Sequence, residues 1–142
     1  RSPSRGLGDV YKRQDESYNA NPLSVKNAIN NFDIIKKEKF KKYLILGDML
    51  ELGHKSEKYH KDLSRVINNS NIDKVFIKGE KTLFTYKNLH KSKQGNILQN
   101  KDDIDLVLSN IINNNDYLMI KGSNATGLNI LSKKMIKGLN AI

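Results

Sequence analysis

Cysteine is missing from all 142 residues. That excludes a disulfide framework, thiol catalysis and any cysteine-ligated metal, and it makes a reducing, cytoplasmic setting the expected one. Long apolar runs are missing too. No stretch approaches the roughly 20 residues that cross a bilayer, and the N-terminus has no hydrophobic segment of the signal-peptide kind, so a soluble chain with no membrane partner is expected. The sequence also lacks Gly-x-x-x-x-Gly-Lys-Ser/Thr, so it does not supply the phosphate loop and lysine on which phosphoryl transfer relies. No Gly-x-Gly-x-x-Gly follows its first strand region, which leaves a dinucleotide site of the usual type unsupported. Its three histidines, His54, His60 and His90, are scattered and suggest no metal site. No internal repeat is present.

Charge of one sign is in excess, with 25 Lys and Arg against 15 Asp and Glu, a formal net charge of +10. A clustered basic face would point to nucleic acid, because neutralised phosphates release counterions. Here the lysines are spread over most elements, among them Lys36, Lys37, Lys39, Lys41, Lys42, Lys61, Lys91, Lys93, Lys133, Lys134 and Lys137. Solvated surface is therefore the expected role for all of them, and no nucleic-acid partner is expected. A phosphate-rich small ligand remains compatible with the charge. A chain of this length forms one domain, large enough to bury about two-thirds of its unfolded surface.

Residues 1–14, RSPSRGLGDVYKRQ, lack apolar periodicity and stop abruptly where ordered patterning begins. They are expected to be a non-native or disordered leader, with residues 15–142 forming the domain. Beyond them helices and strands alternate. Asn21 as N-cap with Pro22 at the first helical position opens a helix with Val25, Ala28, Ile29 and Phe32 on one face. A buried strand is expected at Tyr43 to Leu46. A helix opened by Ser56 and Glu57 turns Tyr59, Leu63, Val66 and Ile67 inward. Strands are expected at Val75 to Lys78, Ile97 to Gln99 and Leu118 to Lys121. Helices around Lys81 to Leu89, along Ile104, Leu108 and Ile111, and along Leu128, Leu131, Met135 and Leu139 complete the pattern. Single helices between strands imply a mostly parallel sheet covered on both faces, a Rossmann-like three-layer α/β domain.

Two segments concentrate the chemistry: Asp15-Glu16-Ser17-Tyr18-Asn19-Ala20-Asn21-Pro22 and Leu46-Gly47-Asp48-Met49-Leu50-Glu51-Leu52-Gly53. Each places small, carboxylate and amide residues where a strand hands over to a helix, the position at which open α/β sheets bind ligands. Asp15, at the end of a first strand, suits a ribose diol. Asn19 and Asn21 offer donors and acceptors without adding charge, although a turn residue and a helix cap are their plainer roles. Tyr18 suits stacking on a base or packing on the helix. Asp48 brings a carboxylate to the rim of the same cleft, a natural partner for an ammonium, with Glu51 the weaker candidate beside it. Lys121 and Ser123 offer an ammonium and a hydroxyl to a carboxylate or phosphate oxygen. His60 is placed one helical turn after Ser56 and Glu57, behind the site rather than in it.

These segments, with Ile120-Lys121-Gly122-Ser123, resemble the C-terminal domain of the Mur ligases, in the branch that adds D-alanyl-D-alanine during peptidoglycan synthesis. The resemblance covers the chain from Asp15 onward. It implies that a strand normally runs into Asp15, and that this first strand is missing here or replaced by Asp9 to Arg13. It implies ATP, with Mg2+ held mainly outside this chain, at Asp15, Tyr18, Asn19 and Asn21. It implies D-alanyl-D-alanine at Asp48, Glu51, Lys121 and Ser123, and a UDP-linked muramoyl peptide on central and N-terminal domains of the same monomeric enzyme. Without a phosphate loop, no catalytic residue is assigned to this chain, and alone it is expected to be inactive. The competing readings are a stand-alone basic α/β module that binds nucleotide or nucleic acid without catalysis, and a remnant without ligand.

Overall fold

The computed structural model describes residues 21–36, 39–113, 115–122 and 140–141. The leader, the expected first strand, Asp15, Tyr18, Asn19, Ser123 and the final helix lie outside the described residues.

Helix α1, Pro22–Ile34, starts as its sequence implies. Asn21 Oδ1 accepts the Ser24 amide at 2.9 Å and Ser24 Oγ accepts the Asn21 amide at 3.2 Å, a reciprocal box that satisfies donors a helix start leaves open. Val25, Ile29 and Phe32 are buried with Ala28 packed beside them. Strand β1, Lys42–Gly47, is buried along its whole length, as a central strand covered on both faces must be. The remaining elements are α2 (Ser56–Asn68), β2 (Lys74–Lys78), α3 (Thr82–Lys87), β3 (Gln94–Ile97), α4 (Lys101–Asn110), β4 (Tyr117–Lys121) and β5 (Asn140–Ala141).

The sheet order is β3-β2-β1-β4-β5 and every pairing is parallel. Alternate side chains divide the core in two, as period-2 strands require. Leu44, Leu46, Val75, Ile77 and Met119 face α1, α2 and α3, whereas Tyr43, Ile45, Phe76, Leu118 and Ile120 meet Ile104 and Val107 of α4. From β1 the chain steps to β2 and β3 on one flank, then returns through α4 to β4 on the other. The order thus reverses between β1 and β4, where an open parallel sheet leaves a crevice at its carboxyl edge.

Two expectations need correction. The third strand begins at Gln94 rather than Ile97. Its start is set by anchoring to α3, with Gln94 Nε2 donating to Tyr86 O at 2.9 Å and Tyr86 Oη to Gly95 O at 2.8 Å; apolar patterning pointed instead to Leu98, which follows the strand and is buried. Lys42, expected at the surface, is 0% exposed. Its Nζ donates to Phe32 O at 2.6 Å, Asp33 O at 3.2 Å and Asn71 Oδ1 at 2.9 Å, and also to Ile35 O. The ammonium thereby closes the carbonyl end of α1, where a cation is favoured by the helix dipole. Lys93 departs from the solvated pattern in the same way, half-buried with its Nζ on Ser70 O and Ile72 O at 2.9 and 2.6 Å.

Candidate functional site

Three strands of the sheet run into glycine at the carboxyl edge: β1 at Gly47, β2 at Gly79 and β4 at Gly122. At two of them a side chain has no room. A Cβ on Gly122, whose φ is +154°, would stand 2.7 Å from Gly47 Cα, so the backbones leaving β1 and β4 touch. A Cβ on Gly79, φ +122°, would stand 2.7 Å from Asp48 Oδ2. Absent side chains thus bring the turns after β1, β2 and β4 together.

Asp48 is half-buried in this cluster. Its Oδ1 accepts the Thr82 amide at 2.9 Å, capping α3, whose preceding residue Lys81 provides no side-chain cap. Among the described residues Oδ2 has no hydrogen-bond partner. The carboxylate is therefore held in place by one oxygen and presents the other. Glu51 is exposed, with φ +62°, and no contact among the described residues ties it to Asp48. Lys121 is 7% exposed and pairs in register with Leu46, so it ends β4 one strand away from the Gly47–Asp48 turn.

Asn21 reaches the same side of the sheet from α1. The carbonyl end of that helix is fixed to Lys42 at the amino end of β1, and its 13 residues run back about 20 Å at 1.5 Å each. Its Oδ1 is engaged by the cap. Of the expected site residues, the structure therefore gathers Asp48 and Lys121 at the switch point, puts Asn21 at the near helix end, and leaves Glu51 in solvent at the rim.

His60 is fully buried behind the β1 turn. Its Nδ1 lies 2.7 Å from Ser56 O, and its Nε2 accepts the Met49 amide at 3.0 Å. A carbonyl can only accept and an amide N–H can only donate, so Nδ1 carries the hydrogen and Nε2 is bare. Burial pushes its pKa below the ordinary histidine value; the Ser56 carbonyl and the Asp48 carboxylate act in the opposite sense, and Lys81 adds to the lowering. Sequence reasoning placed Gly122 at a strand end but missed Thr82 and the close packing of Gly79 on Asp48 and of Gly122 on Gly47. The recurrence of glycine after Leu46, Lys78 and Lys121 was the available signal.

Elsewhere on the surface, a groove of about 580 Å3 runs between α1 and α2, lined by Pro22, Leu23, Tyr59 and Leu63 among others. Among the described residues no three His, Asp or Glu side chains gather as a metal cluster, and no helix is long and apolar enough to cross a membrane.

Comparison with known proteins matches residues 16–124 to the family described as Mur ligase, glutamate ligase domain. The UDP-N-acetylmuramoyl-tripeptide–D-alanyl-D-alanine ligase of Bacillus subtilis is 33% identical over 127 residues, covering 87% of this chain and 27% of that protein. The enzyme of the same name from Buchnera aphidicola subsp. Baizongia pistaciae is 32% identical over 125 residues, covering 87% and 26%. The chain thus spans about a quarter of the length of these relatives. Among solved structures, MurF ligase from Thermotoga maritima in complex with ADP superposes with a TM-score of 0.63 at 22% identity, over 87% of this chain and 27% of that one. MurF from Acinetobacter baumannii gives 0.65 at 22% identity, over 84% and 27%. The parallel, helix-covered sheet and its motif-bearing turns agree with these matches, and the chain belongs to the Mur ligase family.

Proposed function

We propose that residues 15–142 act as the C-terminal domain of a cytoplasmic, monomeric ligase that adds D-alanyl-D-alanine to a UDP-linked muramoyl tripeptide. The observation that carries the reading is the close meeting of the β1 and β4 turns at the switch point, which sets the Asp48 carboxylate next to Gly47 and the lysine Lys121 next to Gly122. A dipeptide zwitterion has the complementary polarity. Asp48 Oδ2 receives its ammonium, Lys121 and Ser123 receive its carboxylate, and Glu51 stands further out at the rim. ATP is assigned to Asp15, Tyr18, Asn19 and Asn21, as the resemblance implies.

In the complete reaction the γ-phosphoryl of ATP passes to the terminal carboxylate of the muramoyl peptide, giving an acyl phosphate and ADP. The dipeptide amine, once deprotonated, attacks the acyl carbon, the new C–N bond forms and phosphate leaves. Mg2+ supplies charge neutralisation at the ATP phosphates and is held mainly by groups outside this chain. The role of this chain is placement: Asp48 keeps the amine oriented and Lys121 fixes the far end, converting a bimolecular encounter into a directed one. Since the sequence has no phosphate loop, the purified chain is expected to hydrolyse no ATP and ligate nothing.

Calorimetric titration of the chain with D-alanyl-D-alanine tests the reading. Binding that Asp48→Asn weakens about tenfold, the scale of one charge-assisted hydrogen bond, supports it. No heat with the dipeptide or ATP, together with binding to DNA or RNA that collapses between low and physiological salt, would hand the chain to the basic-module reading.

A further inference from the structure

The turn that presents Asp48 is tied to the body of the domain by a hydrogen bond of unusual chemistry. Met49, one residue after Asp48, is 1% exposed, and its amide donates to a histidine ring nitrogen rather than to a carbonyl. Every other contact of that ring is also directional. Nδ1 of His60 faces Ser56 O one turn earlier in α2, with Ser56 Oγ 3.4 Å away. The His60 carbonyl accepts Thr85 Oγ1 at 2.5 Å from α3, the helix whose first amide is held by Asp48. The loop is closed: Asp48 holds α3, α3 holds α2 through Thr85, and α2 holds the residue after Asp48 through His60.

We infer that His60 is a positioning residue that sets the Asp48 turn for ligand only while its Nε2 is bare, and that taking up a proton there releases the turn. The inference rests on the placement of the dipeptide at Asp48 proposed above. A proton on Nε2 would point an N–H at the Met49 N–H, turning an acceptor into a second donor inside a site closed to water, and a buried donor pair cannot persist. The charged groups facing the ring are Asp48, from the turn itself, and Lys81, from the start of α3. Asp48 favours the protonated ring and Lys81 opposes it. A ligand ammonium drawn to Asp48 would remove part of the carboxylate's support for the imidazolium, so dipeptide binding and His60 protonation oppose each other. By linkage, the dipeptide affinity falls as the ring protonates.

Nuclear magnetic resonance on the chain, from pH 7.5 down to pH 5, tests this with and without D-alanyl-D-alanine. The expected result is a bare Nε2 at pH 7.5, with the Met49 amide shifting along the same titration curve as the His60 ring. Dipeptide affinity should fall along that curve. His60→Gln, which keeps an acceptor near the Nε2 position and cannot titrate, should bind with little dependence on pH over this range. His60→Leu should bind about tenfold more weakly at neutral pH, the scale of one lost hydrogen bond. A Met49 amide that ignores the His60 titration overturns the proposal, as does a His60→Gln variant with the wild-type pH profile. Met49 tracking His60 while no dipeptide binds at any pH would support the hinge and sink the assignment of the crevice instead.

Discussion

At the amino ends of β1 and β4, polar side chains close down on the backbone; at the carboxyl ends, glycines hold the turns against one another and leave a carboxylate oxygen presented. Asp116 accepts the Lys41 and Asn113 amides at 3.0 and 2.8 Å. Asp73 accepts the Lys42 amide at 2.9 Å, and Asp33 the Asn71 amide at 2.7 Å. Burial, with the charges of Asp116 and Asp73, pushes the Tyr43 phenol above its ordinary pKa. Here ionised groups are spent on holding elements together. At the other edge Asp48 makes one such bond, and its second oxygen remains available. One sheet thus has an end built for cohesion and, in the proposed reading, an end that receives the ligand, at the switch point where open parallel sheets bind theirs.

Breaking the cohesive end should have the largest effect. Lys42→Met removes the ammonium from the Phe32, Asp33 and Ile35 carbonyls; Phe32 O keeps the Ile35 amide and Asp33 O keeps Asn71 Nδ2, so Ile35 O loses most. At about 1–3 kcal/mol for a stranded or charge-assisted bond we expect about 2–3 kcal/mol of lost stability by urea unfolding. A loss below about 1 kcal/mol would show that the amino end is not a clamp. Gly122→Ala forces a methyl group into the Gly47 backbone at an unfavourable φ. We expect about 2 kcal/mol of destabilisation together with lost dipeptide binding; a change in stability alone would separate that contact from the crevice.

Asn21→Ala removes the α1 cap and should cost about 1 kcal/mol, read as a lower thermal midpoint. Asp48→Asn retains an acceptor for the Thr82 amide, so stability should move by no more than about 0.5 kcal/mol while dipeptide binding drops about tenfold. Equal effects on both would erase the distinction between the two ends. Acid sharpens it further. The His60 pKa is lowered in the folded chain, so the unfolded chain takes up the proton first. Its contribution to stability is complete above the ordinary value near 6.5 and declines as pH falls from there toward the folded pKa. A denaturant midpoint that stays flat in this window for wild type, or slopes equally in His60→Gln, would contradict that assignment.

Much of the fold was legible because local signals and burial coincide. Asn21-Pro22 marked a helix start that the capping box confirms, and the spacing of Val25, Ile29 and Phe32 gave its inner face. β1, β2 and β4 were found within a residue at each end because they are short apolar runs bounded by turns. β3 was misplaced by three residues because an edge strand is fixed by hydrogen bonds to Tyr86 as much as by apolar burial. The Gly47-Asp48 turn was legible as the carboxyl end of a buried strand, but its geometry was not. That Asp48 caps α3 depends on Thr82, 34 residues away, and no local spacing encodes such a partner. Lys42 was opaque for a related reason. A lysine in a lysine-rich stretch looks like solvent-facing charge, and only the meeting of α1 with β1 supplies its carbonyls.

The Lys42 cage also constrains the order of assembly. β1 cannot take its place between β2 and β4 with a bare ammonium drawn out of water, because the desolvation of an unpaired charge far exceeds what one strand's apolar contacts return. The carbonyl end of α1 must be formed and docked when β1 enters the sheet. Helix and strand therefore commit together, and the first folding nucleus of this domain should contain the α1–β1 pair rather than the β1–β2 ladder alone.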